Sequence, residues 1–118
     1  MIPKFRARDQ RGNWHIGLLT FMFGQYAIVN ESDENSVYLI DKETVGQSTG
    51  LKDKNGVEIF EGDIGWDDHQ EVHGQVIFEN GAFKYEWDNI SEDLFEATDD
   101  IEIVGNIYEN SELLEGTE

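Results

Sequence analysis

Cysteine is absent from this chain, and proline occurs once, at Pro3. Without thiols there is no disulfide, no thiolate metal site and no cysteine nucleophile, and a reducing compartment suits the chain. Long hydrophobic runs are also missing. The longest, IGLLTFMFG, falls far short of the roughly 20 residues that a membrane-spanning helix needs. The basic start MIPKFRARDQR is not followed directly by an apolar segment of signal-peptide type. These absences lead us to expect a soluble protein of the cytoplasm with no membrane contact.

Positive charge is scarce in one half only. Of 26 acids and eight bases, residues 1–54 hold seven acids (Asp9, Glu31, Asp33, Glu34, Asp41, Glu43, Asp53). The same residues hold seven bases (Lys4, Arg6, Arg8, Arg11, Lys42, Lys52, Lys54), so that half sums to zero. Residues 55–118 therefore carry 26 − 7 = 19 acids against 8 − 7 = 1 base, Lys84, and with them the whole net charge of −18. A chain without a basic surface is a poor ligand for phosphate backbones, so direct binding of nucleic acid is disfavoured. The acidic half is either a solvated surface or a face that meets something basic.

What is present is the composition of a folding chain: 38% hydrophobic residues, with three Trp, four Tyr and seven Phe among its 118 residues. That length suits one domain with a modest core. Short apolar runs separated by Gly, Asn and Asp have the texture of an all-β domain. Strands are expected at 4–7, 14–19, 25–29, 37–40, 58–60, 63–66, 74–79, 82–87 and 101–104. The clearest element is HGQVIFENGAFKYEWD. Asn80-Gly81 suits a two-residue type I′ turn, whose central residues both need positive φ. That turn sets Phe78 opposite Phe83 and Val76 opposite Tyr85 on one apolar face.

The stretch TGLKDKNGVEIFEGDIG, residues 49–65, reads as a structural corner. Asp53-Lys54-Asn55-Gly56 is a turn tetrad, and Glu61-Gly62 breaks the strand that follows. It lacks the spacing of a phosphate-binding loop and precedes no helix. Two turns within ten residues are how small barrels of the SH3 class change direction. Gly56 and Gly62 are expected in turns, at least one with positive φ. The expected fold is all-β and mostly antiparallel, a small, partly open SH3-like barrel over residues 1–118. An N-terminal β subdomain, 1–48, could pack on a barrel-like part, 49–118. Helix is limited to short pieces near the C-terminus. One is a turn through Glu112–Leu114 capped by Asn110-Ser111. The other is Glu92–Ala97 after Ser91, a segment that could equally be extended. Alternation places Phe5, Trp14, Leu18, Ile28, Leu39, Leu51, Ile59, Ile64, Val76, Phe78, Phe83, Tyr85, Ile103 and Ile107 in the core.

Chemistry is thinly signalled. Asp67, Asp68, His69, Glu71 and His73 crowd into seven residues and could ligate a divalent ion. But a His-x-x-x-His pair works on a helix, and a strand follows here. No calcium loop and no Gly-x-Ser-x-Gly elbow occur. His15 lies among apolar neighbours, where an inert role is expected. The reading is non-enzymatic, with no cofactor, no catalytic residue and no committed metal ligand. A metal-dependent enzyme trails as an alternative.

Three blocks carry a family resemblance. KFRARD near the start, TGLKDKNGVEIFEGDIG in the middle and VGNIYENSELL near the end resemble, in that order, the blocks of the YopX family of small phage and prophage proteins. Arg8 stands where that family usually has Trp, Gly65 where an apolar residue is expected, and Ser111 where a Pro is usual. The resemblance implies an all-β, barrel-like fold, a phage or prophage origin, a host-cytoplasmic location and no established catalytic residues. Two readings follow. The first is a protein-interaction module; the second is an acidic nucleic-acid mimic that occupies a basic site on a host or phage protein. In both, the expected partner has a basic surface and docks on Glu92, Asp93, Glu96, Asp99, Asp100 and Glu102, six acids in eleven residues. Self-association is left open.

Overall fold

The computed structural model describes residues 3–30 and 36–115. The chain divides into two compact units, Met1–Ser48 and Thr49–Glu118. Its strands form two sheets of mostly antiparallel strands. One sheet has the order β4 (Val37–Leu39), β3 (Gln25–Asn30), β2 (Trp14–Met22), β1 (Phe5–Arg8), β5 (Gly46–Lys52), β6 (Glu58–Phe60), and the other β10 (Ile90–Asp93), β9 (Ala82–Trp87), β8 (Val72–Glu79), β7 (Asp63–Asp67), β11 (Ile101–Asn106). Neither order returns on itself, so the all-β fold is not a closed barrel.

The first unit is built from β1 (Phe5–Arg8), β2 (Trp14–Met22), β3 (Gln25–Asn30), β4 (Val37–Leu39) and the first residues of β5 (Gly46–Lys52). Tight turns join β1 to β2 and β2 to β3. In the first, the Asp9 carboxylate accepts hydrogen bonds from the Arg11 and Asn13 backbone N–H groups, both at 2.9 Å. A single 3-10 turn, Lys42–Thr44, precedes β5. Thr44 Oγ1 ties it to β1 by accepting from the Arg8 N–H at 2.8 Å. Ala7, Ile28 and Ile40 form the buried cluster, with Phe5, Leu19 and Val45 against it.

That cluster corrects two core assignments. Leu18 and Leu39 are 45% and 46% exposed. Phe5 pairs with Gly17 and Leu19 with Ile28, so those residues share the buried face. Leu18, one residue out of step, pairs with Val29 on the other face. A period of two makes the choice of face a one-residue decision. The run IGLLTF is apolar on both parities, so the sequence leaves that decision open.

The second unit contains the rest of β5, then β6 (Glu58–Phe60), β7 (Asp63–Asp67), β8 (Val72–Glu79), β9 (Ala82–Trp87), β10 (Ile90–Asp93), α1 (Leu94–Ala97), β11 (Ile101–Asn106) and α2 (Glu112–Glu115). Its core joins Ile59, Val76, Tyr85, Leu94, Ala97 and Ile101, with Leu51, Phe83, Trp87 and Ile103 against them. Fully burying an aliphatic side chain of this kind stabilises by roughly 1.5–3 kcal/mol. The β8–β9 register is the expected one, Phe78 with Phe83 and Val76 with Tyr85. Its turn residues Asn80 and Gly81 have φ of 55° and 82°. Phe78 nevertheless is 52% exposed, because the hairpin runs past the core and leaves Phe78 edge-on to Phe83 near the tip.

Tyr85 is the largest fully buried side chain and lies over a glycine floor. Gly65 and Gly74 are cross-strand partners, and a Cβ on Gly74 would fall on the Tyr85 ring. Gly65 thus leaves room for the aromatic ring that an apolar side chain at that position would displace.

Candidate interaction surface

The six acids proposed from the sequence lie on β10, α1, the turn after it and β11. Leu94, Ala97 and Ile101 anchor this segment, each 2% exposed or less. Burying those three positions leaves the acids between them outward. Glu96, Asp99 and Asp100 are exposed, and Glu92, Asp93 and Glu102 are half-buried. The segment differs from the helical alternative in one respect. Glu92 and Asp93 belong to β10, so Ser91 does not cap a helix, and α1 is one turn long with Asp93 at its N-cap position.

The structure sorts the six acids by their neighbours. Glu92 lies in the field of Glu96 and Asp100, and of Asp67 from β7. Burial, and then repulsion from Glu96, Asp100 and Asp67, pushes the Glu92 carboxyl above its ordinary value. Two others lie near bases distant in sequence. Asp93 is opposite Lys84 in the β9–β10 pair and accepts a hydrogen bond from Lys84 Nζ at 2.8 Å. That bond raises the Lys84 ammonium above its ordinary value. Glu102 lies in the field of Lys54, which is raised chiefly by its hydrogen bond to Asp68. The acidic centre of the surface is therefore Glu92 with the exposed Glu96 and Asp100 acting on it, backed by the buried Asp67. Asp67 was legible only as part of a polar loop.

That polar loop is held from within. Asp67 Oδ1 accepts from the His69 N–H at 2.8 Å and the Gln70 N–H at 3.3 Å. Asp68 accepts from Lys54 Nζ and Trp66 Nε1, which together hold its carboxyl below its ordinary value. His73 packs against the Trp66 ring at 4.7 Å. Among the described residues no group of three His, Asp or Glu side chains is arranged to hold a metal ion.

Residues 49–65 form the corner expected of them. Gly56 and Gly62 both take positive φ, 84° and 95°. Thr49 Oγ1 donates to the Ile59 carbonyl at 2.8 Å, and Asp63, 1% exposed, accepts from the Phe60 N–H at 2.8 Å. Asp53 accepts from Asn55 and Val57 through Oδ1 and from Ile103 through Oδ2. Burial pushes its carboxyl up, but these N–H groups outweigh burial and hold it below its ordinary value. Asn106 likewise accepts from the Tyr108 and Glu109 N–H groups. In both the central and the closing blocks, the distinctive polar side chains close turns.

His15 has a more specific setting than its sequence neighbours suggest. Its Nε2 lies 2.9 Å from Asp9 Oδ2, and its ring stacks on Tyr38 at 3.9 Å. The His15 contact is the leading reason why Asp9 is held below its ordinary value. A shallow cavity of about 640 Å³ opens beside the pair, and none of its lining residues is Ser, Thr or Cys. The contact ties Asp9 of the β1–β2 turn to His15 of β2.

The comparisons with known proteins agree with this architecture. A family model described as YopX protein matches residues 4–115. The crystal structure of protein EF1440 from Enterococcus faecalis is similar, with 30% sequence identity and a TM-score of 0.66. The match covers 97% of this chain and 99% of that one. No curated protein sequence matches the chain.

Proposed function

The chain belongs to the YopX protein family, and from that premise we propose that it is a non-enzymatic interaction module whose C-terminal unit receives a partner with a basic surface. The observation that carries this reading is the Glu92, Glu96, Asp100 and Asp67 group. Burial, and then repulsion from the other three, raises Glu92, while Lys84 and Lys54 pair with Asp93 and Asp68. A cationic partner relieves that repulsion and adds attraction of its own. The cysteine-free composition, and the resemblance of three blocks to a family of phage and prophage proteins, support action in a bacterial host cytoplasm.

A partner captured from host lysate provides the test. Neutralising Glu92 and Glu96 to Gln and Asp100 to Asn should slow association more than it speeds dissociation. Raising salt should weaken wild-type binding steeply, because the Debye length falls from about 10 Å at 0.1 M to about 3 Å at 1 M. Salt-independent binding that survives neutralisation would overturn the reading. Nucleic-acid mimicry is the narrower form of the same idea, motivated by 19 acids against one base after residue 54. In that case duplex DNA should compete with the chain for the captured partner.

A further inference from the structure

The turn between β2 and β3 carries a residue that the fold does not call for. Phe23 and Gly24 both take positive φ, 53° and 75°. A two-residue hairpin turn of type I′ demands this, and Asn, Asp and Gly supply it at least cost. The second unit uses the ordinary solution, Asn80-Gly81. A bulky aromatic residue in left-handed backbone is an outlier, and outliers of this kind concentrate at functional positions. Phe23 is also 90% exposed, so burial within the chain returns nothing for the strain. Beside it, Phe21 is 60% exposed and stands edge-on to Tyr26 at 5.0 Å. Phe21, Gly24, Tyr26, Ile40, Asp41 and Lys42 line a recess of about 730 Å³.

We propose that this hairpin tip is a self-association surface, on which a second copy of the chain docks by a two-fold contact. Phe23 of each copy enters the recess beside the other copy's Phe21 and Tyr26. Three observations select a second copy as the occupant. First, knob and hole are neighbours: Phe23 adjoins Gly24 in the chain, and Gly24 lines the recess. A two-fold interface needs such a self-complementary patch. Second, the recess carries adjacent opposite charges. An operation that places Asp41 against the partner's Lys42 also places Lys42 against the partner's Asp41. Third, residues 1–54 sum to zero charge, whereas residues 55–118 carry all of the −18. A chain this acidic associates with itself at least cost through its neutral part. Anionic lipid headgroups repel the same net charge, which disfavours a bilayer as the occupant. The contact lies on a different unit from the acidic surface, so either proposal can fail without the other.

Sedimentation equilibrium of the full chain, from about 1 to about 300 µM, tests the proposal in the range where modest interfaces dissociate. The wild type should show a monomer–dimer equilibrium. Phe23→Asn puts a favoured residue in the turn and removes the knob. Its dissociation constant should rise at least about tenfold, with a melting temperature that is unchanged or higher. A wild type that stays monomeric, or a variant that dimerises as well, would overturn the proposal. Asp41→Lys and Lys42→Glu should each weaken self-association, and an equimolar mixture of the two should restore it, because each facing pair is then opposite in charge. A mixture that remains monomeric, although both variants melt normally, contradicts the two-fold arrangement. Phe23-dependent flotation with neutral or anionic vesicles by a monomeric protein would assign the tip to a bilayer and overturn it as well.

Discussion

Asp53 joins, through one carboxylate, a turn and a strand that lie 50 residues apart in the chain. In the sequence it is one letter of a turn tetrad, and the local half of its role is legible: an Asx turn to Asn55 and Val57. The bond to Ile103 is not legible, because nothing near Asp53 announces which strand will pass over it. Asp53→Ala should cost about 1–2 kcal/mol, since it leaves three part-buried N–H groups without their acceptor, and Asp53→Asn less. Chemical denaturation checks this, and a loss under about 0.5 kcal/mol would show that water replaces the carboxylate. Glycine roles divide in the same way. Gly56 and Gly62 were readable from turn chemistry, and Ala at either should cost about 1 kcal/mol, because both have positive φ. Gly74 was readable only as an alternating position in a hairpin. Its requirement comes from the Tyr85 ring, which a Cβ would strike. Gly74→Ala should cost about 1–3 kcal/mol by overpacking. In a double-mutant cycle with Tyr85→Leu the two losses should be clearly less than additive.

Elements were legible where a local rule fixed them. The Asn80-Gly81 turn determined register, and the register determined which side chains face each other. The two strands missing from the sequence reading, β5 and β10, have no such rule. GQSTGLK and ISED show no apolar alternation. They are strands because β1 and β9 present backbone partners to them. Tertiary pairing overrides propensity there. The same limit explains Ser91, a good cap letter that lies inside a strand, and Leu18, whose face depends on a register that no turn residue declares. Register alone also does not fix burial. Phe78 and Val76 share a face of β8, but Val76 is fully buried and Phe78 is half out. Phe78→Ala should therefore cost about 1 kcal/mol, the worth of its edge-on contact, while Val76→Ala should cost about 2. If thermal melts show Phe78→Ala to be the costlier change, the tip is buried by something this chain does not supply.

At the scale of the molecule, the charge layout was legible in full and its local consequences were not. Counting residues locates the net charge after residue 54, but only the fold brings Asp67 to Glu92 and Lys84 to Asp93. Those meetings set the response to pH. Asp53, Asp9 and Asp68 are held below their ordinary values. Each therefore contributes stability that is present above the unfolded value and lost as pH falls through the folded one. Glu92 is raised, so its contribution has the opposite sign. It is fully present below the unfolded glutamate value and is lost as pH rises through the folded one. At neutral pH the charged Glu92 thus opposes folding, through its burial first and its acidic neighbours second. Glu92→Gln should raise the melting temperature at pH 7. The gain should vanish below about pH 4, where the wild-type carboxyl is already protonated. It should also shrink in 1 M salt, which screens the part due to Glu96 and Asp100 but not the part due to burial. Calorimetry at both pH values and both salt concentrations separates the two causes. An equal gain at pH 7 and pH 4 would mean that the substitution acts through packing. A gain at pH 7 that salt leaves untouched would mean that burial alone raises Glu92. The acids would then not be close enough to repel, and a basic partner would have no strain to relieve.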